Sequence, residues 1–89
     1  MKTNRQLERI VRGFSNHRRI EMLKLLDKMP ELSVFEISAA LHTDFKNAAQ
    51  HAQRLAIAGL VLKRNEGPAV RHALSPLGKQ VLRFLKTLE

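Results

Sequence analysis

Apolar residues recur along this chain first at helical and then at strand spacing. Leu7, Ile10, Val11 and Phe14 stand at i, i+3, i+4 and i+7 among Arg5, Glu8, Arg9 and Arg12, which predicts a short amphipathic helix over residues 3–12, ending near Gly13. Ser15 is placed to cap a second helix, along which Ile20, Met22, Leu23 and Leu26 point inward and Arg18, Glu21, Lys24 and Asp27 outward, until Met29-Pro30 breaks the pattern. Ser33 followed by Glu36 forms a capping box, so a third helix begins at about residue 34. It carries Val34, Ile37 and Leu41 on its core side and leaves Glu36 and Ser38 to solvent. The polar break His42-Thr43-Asp44 offers Thr43 or Asp44 as the next cap, and Ala48, Ala52, Leu55 and Ala56 line the inner face of a fourth helix that Gly59 closes. Residues 60–65 and 69–74 then read as two strands around Glu66-Gly67-Pro68, a hairpin with glycine in its turn. Ser75-Pro76 supplies a cap and a preset first residue for a last helix whose stripe is Leu77, Val81, Phe84, Leu85 and Leu88. The expected architecture is mainly α with one small hairpin, in the order α-α-α-α-β-β-α.

Charge gives that layout a direction. Sixteen Lys and Arg against eight Asp and Glu leave a formal net charge of +8 on 89 residues, which argues for a polyanionic partner. Residues 1–45 hold eight basic and six acidic side chains, residues 46–89 eight and two, so the excess lies on the fourth helix, the hairpin and the tail. Two short helices joined by a tight turn and leading into a basic hairpin suit entry into a DNA major groove. With 44% apolar residues the chain is expected to fold as one small domain. A domain of this size buries only about 60 to 65% of its unfolded surface, so a partner subunit would add stability.

Several chemistries are excluded. There is no cysteine, hence no disulfide and no thiolate metal site. No apolar run approaches the roughly 18 residues of a membrane span, and the N-terminus lacks the apolar core of a signal peptide, so an intracellular, cytoplasmic protein without a membrane partner is expected. Ser15, Ser33, Ser38 and Ser75 all fall at capping or helical positions and no glycine-rich phosphate loop is present, which argues against an enzyme. The histidines at 17, 42, 51 and 72 form no i, i+3 or i+4 pair, and His51, beside the apolar seam, reads as a half-buried imidazole rather than a ligand or pH switch.

The order of elements, with these residues, resembles the winged helix-turn-helix domain, and within it the ArsR-type family of small dimeric transcriptional repressors. The similarity runs from about residue 14 to residue 76. Asn16-His17-Arg18-Arg19-Ile20-Glu21-Met22-Leu23-Lys24-Leu25-Leu26 is similar to the family's D-P-T-R-L-x-I-L-x-L-L, with Arg19 on its arginine and His17 where proline is usual. Ile37-Ser38-Ala39-Ala40-Leu41 resembles L-A-x-x-L, and His51, Leu55, Ala58, Gly59, Leu60 and Val61 follow H-L-x-x-L-x-x-A-G-L-V, with Ala52 at the first leucine. Leu74-Ser75-Pro76-Leu77-Gly78 is closer to the L-T-P-x-G of MarR-type proteins. The metal-sensing branch carries C-x-C where this chain has Ser33 and Phe35, and its second site uses Asp and His on the last helix, where residues 76–89 offer only Glu89. No metal and no cofactor are expected.

What the resemblance implies can be stated by residue. The helix-turn-helix spans 33–58, the wing 60–74, and helices 3–12 and 76–88 dimerise. Phe45, Lys46, Asn47, Ala49 and Gln50 face base edges: Asn and Gln match adenine, Lys matches guanine, and Phe can meet a thymine methyl or instead act as a staple against the preceding helix. Gln53, Arg54, Lys63, Arg64, Arg71 and His72, with Arg18 and Arg19, reach phosphates, only Glu66 opposing the cations between residues 45 and 88. Arg19 has a second reading, as a structural arginine held by acidic partners. Leu7, Ile10, Val11, Phe14, Leu77, Val81, Phe84, Leu85 and Leu88 form the homodimer interface, and the two-fold places groove helices roughly 34 Å apart on an inverted repeat of double-stranded DNA. The sequence names no effector. An architectural or plasmid-partition DNA protein and a winged-helix protein-interaction module remain as alternatives, while RNA is disfavoured by the absence of Tyr and Trp.

Overall fold

The computed structural model describes all 89 residues. Its elements are α1 (Asn4–Phe14), α2 (His17–Lys28), α3 (Val34–Leu41), α4 (Phe45–Ile57), β1 (Val61–Glu66), β2 (Ala69–Leu74) and α5 (Pro76–Thr87), the expected order. Side-chain caps start the helices. Ser33 and Glu36 close the predicted box at α3 (2.9 and 3.2 Å), and Thr3 with Gln6 forms a second box at α1 (2.8 and 3.2 Å). Asp44 and Ser75 cap α4 and α5. The cap of α2 is Asn16 rather than Ser15: the Asn16 amide oxygen accepts from the backbone N–H of Arg18 and Arg19, at 2.9 and 3.2 Å.

Gly13 does not stop the first helix. It is buried inside α1, where an added Cβ would lie 2.3 Å from that of Ala58, so its function is close approach to the end of α4. Ser38, expected to face solvent, is buried, and its hydroxyl donates to the Phe35 carbonyl at 2.8 Å.

Met22, Leu23 and Leu26 of α2, Ile37 of α3, and Ala52 and Leu55 of α4 make the heart of the core, completed by Leu60, Val61, Leu74, Val81 and Leu82. Leu82, missing from the predicted stripe, is 2% exposed, and Val81, assigned to the dimer interface, is 8% exposed within the protomer's own core. The last helix has two apolar faces: Gly78, Val81, Leu82 and Leu85 turn inward at i, i+3, i+4 and i+7, and Phe84 and Leu88 turn outward.

The far end of α4 is fixed by a Schellman turn. Gly59 takes φ +80°, the Leu60 N–H reaches the Leu55 carbonyl at 2.9 Å, and the Gly59 N–H reaches that of Ala56 at 3.0 Å, which drives Leu60 into the core. Ser75 fastens this turn to α5. Its N–H donates to the Leu60 carbonyl (3.0 Å), its hydroxyl donates to the Gly59 carbonyl (2.6 Å), and the same oxygen accepts the Gly78 N–H (2.9 Å).

β1 and β2 pair antiparallel from Val61↔Leu74 to Glu66↔Ala69. Gly67 at φ +58° followed by Pro68, whose ring requires negative φ, gives the signs of a type II′ turn. Only Val61 of β1 is buried, so the hairpin projects from the body. Leu32 adds a single bridge to β2 at His72.

Gly78 sits so close to the Leu60 carbonyl that an alanine Cβ would lie 2.1 Å from the oxygen. Gly78→Ala should therefore destabilise by about 2 to 3 kcal/mol in urea unfolding, against the helix-propensity gain of about 1 kcal/mol. Gly67→Ala, strained in φ but uncrowded, should lose only about 1 kcal/mol. Equal or better stability of Gly78→Ala would contradict this account of the joint.

Candidate nucleic-acid interface

The inner face of α4 is built from Ala48, Ala52 and Leu55, all buried, and the small alanines let the helix settle deep against its neighbours. Its outer face then carries Lys46, Asn47, Gln50, Gln53 and Arg54, all exposed, with Ala49 half-buried beside them. Asn47 is held in place: its backbone N–H donates to one Asp44 carboxylate oxygen at 2.8 Å and its side-chain amide to the other at 2.7 Å. One amide hydrogen and the carbonyl oxygen of Asn47 remain for a partner.

Phe45 is 57% exposed and does not act as a core staple. With Phe35, 70% exposed, and Val70 it lines a cleft of about 250 Å³ between the starts of α3 and α4 and the hairpin. Phe35 was not among the sequence-based candidates. Its place opposite Phe45 comes from the turn geometry, which the local pattern does not encode.

The hairpin is less cationic than its sequence implies. Arg64 meets Glu31 at 3.2 Å and Glu66 at 3.1 Å, and Arg71 meets Glu36 at 2.8 Å and Glu66 at 3.4 Å. The expectation that Glu66 alone opposes these charges fails because the fold brings Glu31 and the first turn of α3 against the strands. Hydrogen bonds donated to Glu31 and Glu66 raise the Arg64 pKa, and the Ser33 backbone and hydroxyl, with a smaller contribution from Arg71, lower that of Glu36. These are exposed pairs, weakly held and exchangeable for a phosphate. Glu31 enters the network from a left-handed backbone conformation, φ +68°, unusual for a residue with a side chain. Lys63 is exposed and is in none of the ion pairs.

His72 cannot reach a phosphate. It is 1% exposed, its backbone N–H and its Nδ1 both lie near the Leu32 carbonyl (2.9 and 3.0 Å), and its own carbonyl accepts from Glu31. Strand alternation sends His72 and Leu74 to the core side of β2. Since a carbonyl only accepts, Nδ1 carries the hydrogen.

Arg18 pairs with Glu21 at 3.3 Å and donates to the Leu41 carbonyl at 3.2 Å, tying α2 to the end of α3. Arg19 has no acidic partner, contrary to its structural reading. Its Nε is buried without a hydrogen-bond acceptor in the protein, and the side chain lines a cleft with Arg9, Arg12 and Arg54. Half-buried His51 lies nearby, its pKa lowered by loss of hydration first and then by Arg19, His17 and Arg18. No three His, Asp or Glu side chains gather as a metal site, and the Ser33 hydroxyl is engaged in its helix cap.

On the terminal helices Leu7, Val11, Phe84 and Leu88 are exposed, while Ile10, Phe14, Leu77 and Leu85 pack partly against the core. No helix is long and apolar enough to cross a membrane.

No protein-family model matches the sequence, and no curated protein matches it. Solved structures do match. HlyU from Vibrio cholerae is 31% identical, with 99% of this chain and 97% of that one covered at a TM-score of 0.83. The transcriptional regulator HlyU from Vibrio vulnificus is also 31% identical, over 92% and 85% at 0.76. The homodimeric winged helix-turn-helix DNA-binding domain Mb0332 from Mycobacterium bovis, a possible ArsR-family transcriptional regulator, shares 23% identity over 99% and 87% at 0.84, a likeness of fold.

The position of His51 makes stability depend on pH. A histidine whose folded pKa lies below its ordinary 6.5 binds protons more readily when unfolded, so its contribution is complete above that value and falls away as pH drops below it. His51→Gln should reduce the stability difference between about pH 7.5 and about pH 5.5 in urea unfolding. An unchanged difference would remove His51 as its source.

Proposed function

The chain belongs to the winged helix-turn-helix family of ArsR- and HlyU-type transcriptional regulators, and from that premise we propose that it is a homodimeric repressor that reads an inverted repeat in double-stranded DNA. The observation that carries this reading is the outer face of α4, where cationic and amide side chains stand exposed on a helix whose other face is locked into the core. Laid in the major groove, that face offers Lys46 to guanine and Gln50 to adenine. Asn47, oriented by Asp44, keeps the donor and acceptor needed for a bidentate adenine contact. Phe45 supplies an apolar surface at thymine-methyl height, and half-buried Ala49 allows close approach of the helix.

Backbone contacts fall into two groups. Gln53, Arg54 and Lys63 are exposed, whereas Arg64 and Arg71 must exchange Glu31, Glu36 and Glu66 for phosphate, and Arg18 must leave Glu21. Arg19 contributes positive potential at the start of α2. This partial neutralisation argues against a protein that coats DNA through charge alone, since the wing adds little net cation until it docks.

The exposed apolar residues of α1 and α5, Leu7, Val11, Phe84 and Leu88, support a second copy as their cover, and the similar Mycobacterium bovis domain is homodimeric. Ile10, Phe14, Leu77 and Leu85 would back that interface from beneath. Groove helices roughly 34 Å apart then meet half-sites one helical turn apart.

Selection of bound duplexes from a random pool should return an inverted repeat, with a specificity ratio of roughly 10³ or more over random DNA at fixed salt. Asn47→Ala or Gln50→Ala should relax one position of each half-site at about 1 to 3 kcal/mol. Lys63→Ala should weaken all duplexes alike and flatten the salt dependence of log K by roughly 0.9 per protomer. Uniform losses from the α4 variants would refute base reading. For assembly, Phe84→Asp should shift the hydrodynamic mass at micromolar concentration from two chains to one, and a wild-type mass of one chain would refute the dimer.

A further inference from the structure

Seven of the nine arginines divide by their company, Arg5 and Arg83 standing in neither group. Arg18, Arg64 and Arg71 each face a carboxylate, whereas Arg9, Arg12, Arg19 and Arg54 are in no ion pair and converge on one cleft of about 130 Å³. They come from three elements: two from α1, at i and i+3, one from the first turn of α2, and one from the second half of α4. Gly13, Ile57 and Ala58 complete the wall, and no acidic residue lines it.

Like charges brought together without a counter-charge repel, and a buried guanidinium N–H without an acceptor loses its hydration for nothing in return. The Nε of Arg19 is such a group. Nearby His51 is held toward its neutral form first by loss of hydration and then by Arg19, His17 and Arg18. The acids on the helices that line the cleft, Glu8 of α1 and Glu21 and Asp27 of α2, are not in its wall, and the latter two pair with Arg18 and Lys86.

We propose that this cleft between α1, α2 and α4 is a binding site for a phosphate-type oxyanion. Guanidinium groups arriving from three directions suit a tetrahedral anion better than a planar carboxylate, which one arginine fork satisfies alone. The volume admits an anion of that size, one liquid water taking about 30 Å³. The Arg19 guanidinium, one of the cleft's lining groups, adds its charge to those the anion meets. Arg9, Arg12 and Arg54, more exposed, close around the anion from above. The anion is a free phosphate or phosphomonoester, or a backbone phosphate of DNA, since Arg54 lies about 10 Å along α4 from Asn47. The site shares Arg54 with the outer face of α4, but its existence does not require that face to bind DNA.

The test is an NMR titration of the DNA-free protein with inorganic phosphate against potassium chloride at matched ionic strength, following the side-chain Nε–H resonance of Arg19. A saturable shift with phosphate and none with chloride is expected, and Arg12→Gln or Arg54→Gln should weaken it about tenfold or more, the loss of one charge-assisted hydrogen bond. Lys79→Gln, on α5 and outside the cleft, should leave it unchanged. Arg19→Lys keeps the charge but loses the fork, and should also weaken it. A shift that does not saturate, or one that persists in the Arg12 and Arg54 variants, overturns the proposal. Loss of dimer mass in Arg9→Gln with no phosphate response in the wild type also overturns it, assigning the cleft to a carboxylate of a second copy. A duplex bound at saturation distinguishes the sources: phosphate excluded by DNA identifies a backbone phosphate as the ligand, and phosphate still bound identifies a free oxyanion. Because the first titration contains no DNA, its outcome is independent of groove recognition.

Discussion

The joint between the end of α4 and the start of α5 is the constraint on which the rest of the molecule depends. Two consecutive carbonyls, of Gly59 and Leu60, are taken up by Ser75, whose single hydroxyl donates to one helix end while accepting from the other. Gly59 turns the chain, Leu60 anchors it in the core, and the missing side chain at Gly78 lets α5 come down on the Leu60 carbonyl. Gly13 repeats the device two residues earlier along the same turn, bringing α1 against Ala58. The C-terminal end of α4 is therefore held from two sides by backbone-level contact. A helix so fixed at one end, with an alanine-rich inner face, can present its other end to a partner in a defined orientation.

From that joint the hairpin departs with only its first residue buried, and its charge is balanced by acids that arrive from elsewhere in the fold. The formal charge of the second half of the chain thus overstates what the wing displays. Unpaired cationic character concentrates instead on the outer face of α4 and in the cleft behind it. Arg54 belongs to both, which joins the two regions physically.

Local pattern revealed most of the architecture because each helix start is written in short-range chemistry. Ser33 with Glu36, Asp44, Ser75-Pro76 and the glycine after α4 act within four residues of themselves. Where two adjacent residues could do the same work, as at Ser15 and Asn16, local chemistry does not choose between them, and the orientation of the incoming chain does. The assignments that failed needed contacts distant in sequence. The sequence places His72 on the wing beside Arg71, but its position in β2 turns it to the core side, against the Leu32 carbonyl. Glu31 precedes the helix-turn-helix and Glu36 lies in its first helix, yet both pair with wing arginines in space. Gly13 and Gly78 looked like a stop and a helix residue, whereas both are permitted approaches. The stripe of α5 was misplaced by one side because its twelve residues carry two apolar faces, and Leu82 belongs to the hidden one.

Asp44 binds the opening of α4 to the side chain of Asn47 as well as to its backbone. Positions 46, 47 and 50 are consequently unequal as places for evolutionary change. Lys46 and Gln50 make no side-chain hydrogen bond or ion pair within the protein, so exchange there leaves the scaffold intact. At 47 a replacement also removes the side-chain bond to the residue that caps the helix, so side-chain identity there is coupled to the helix start.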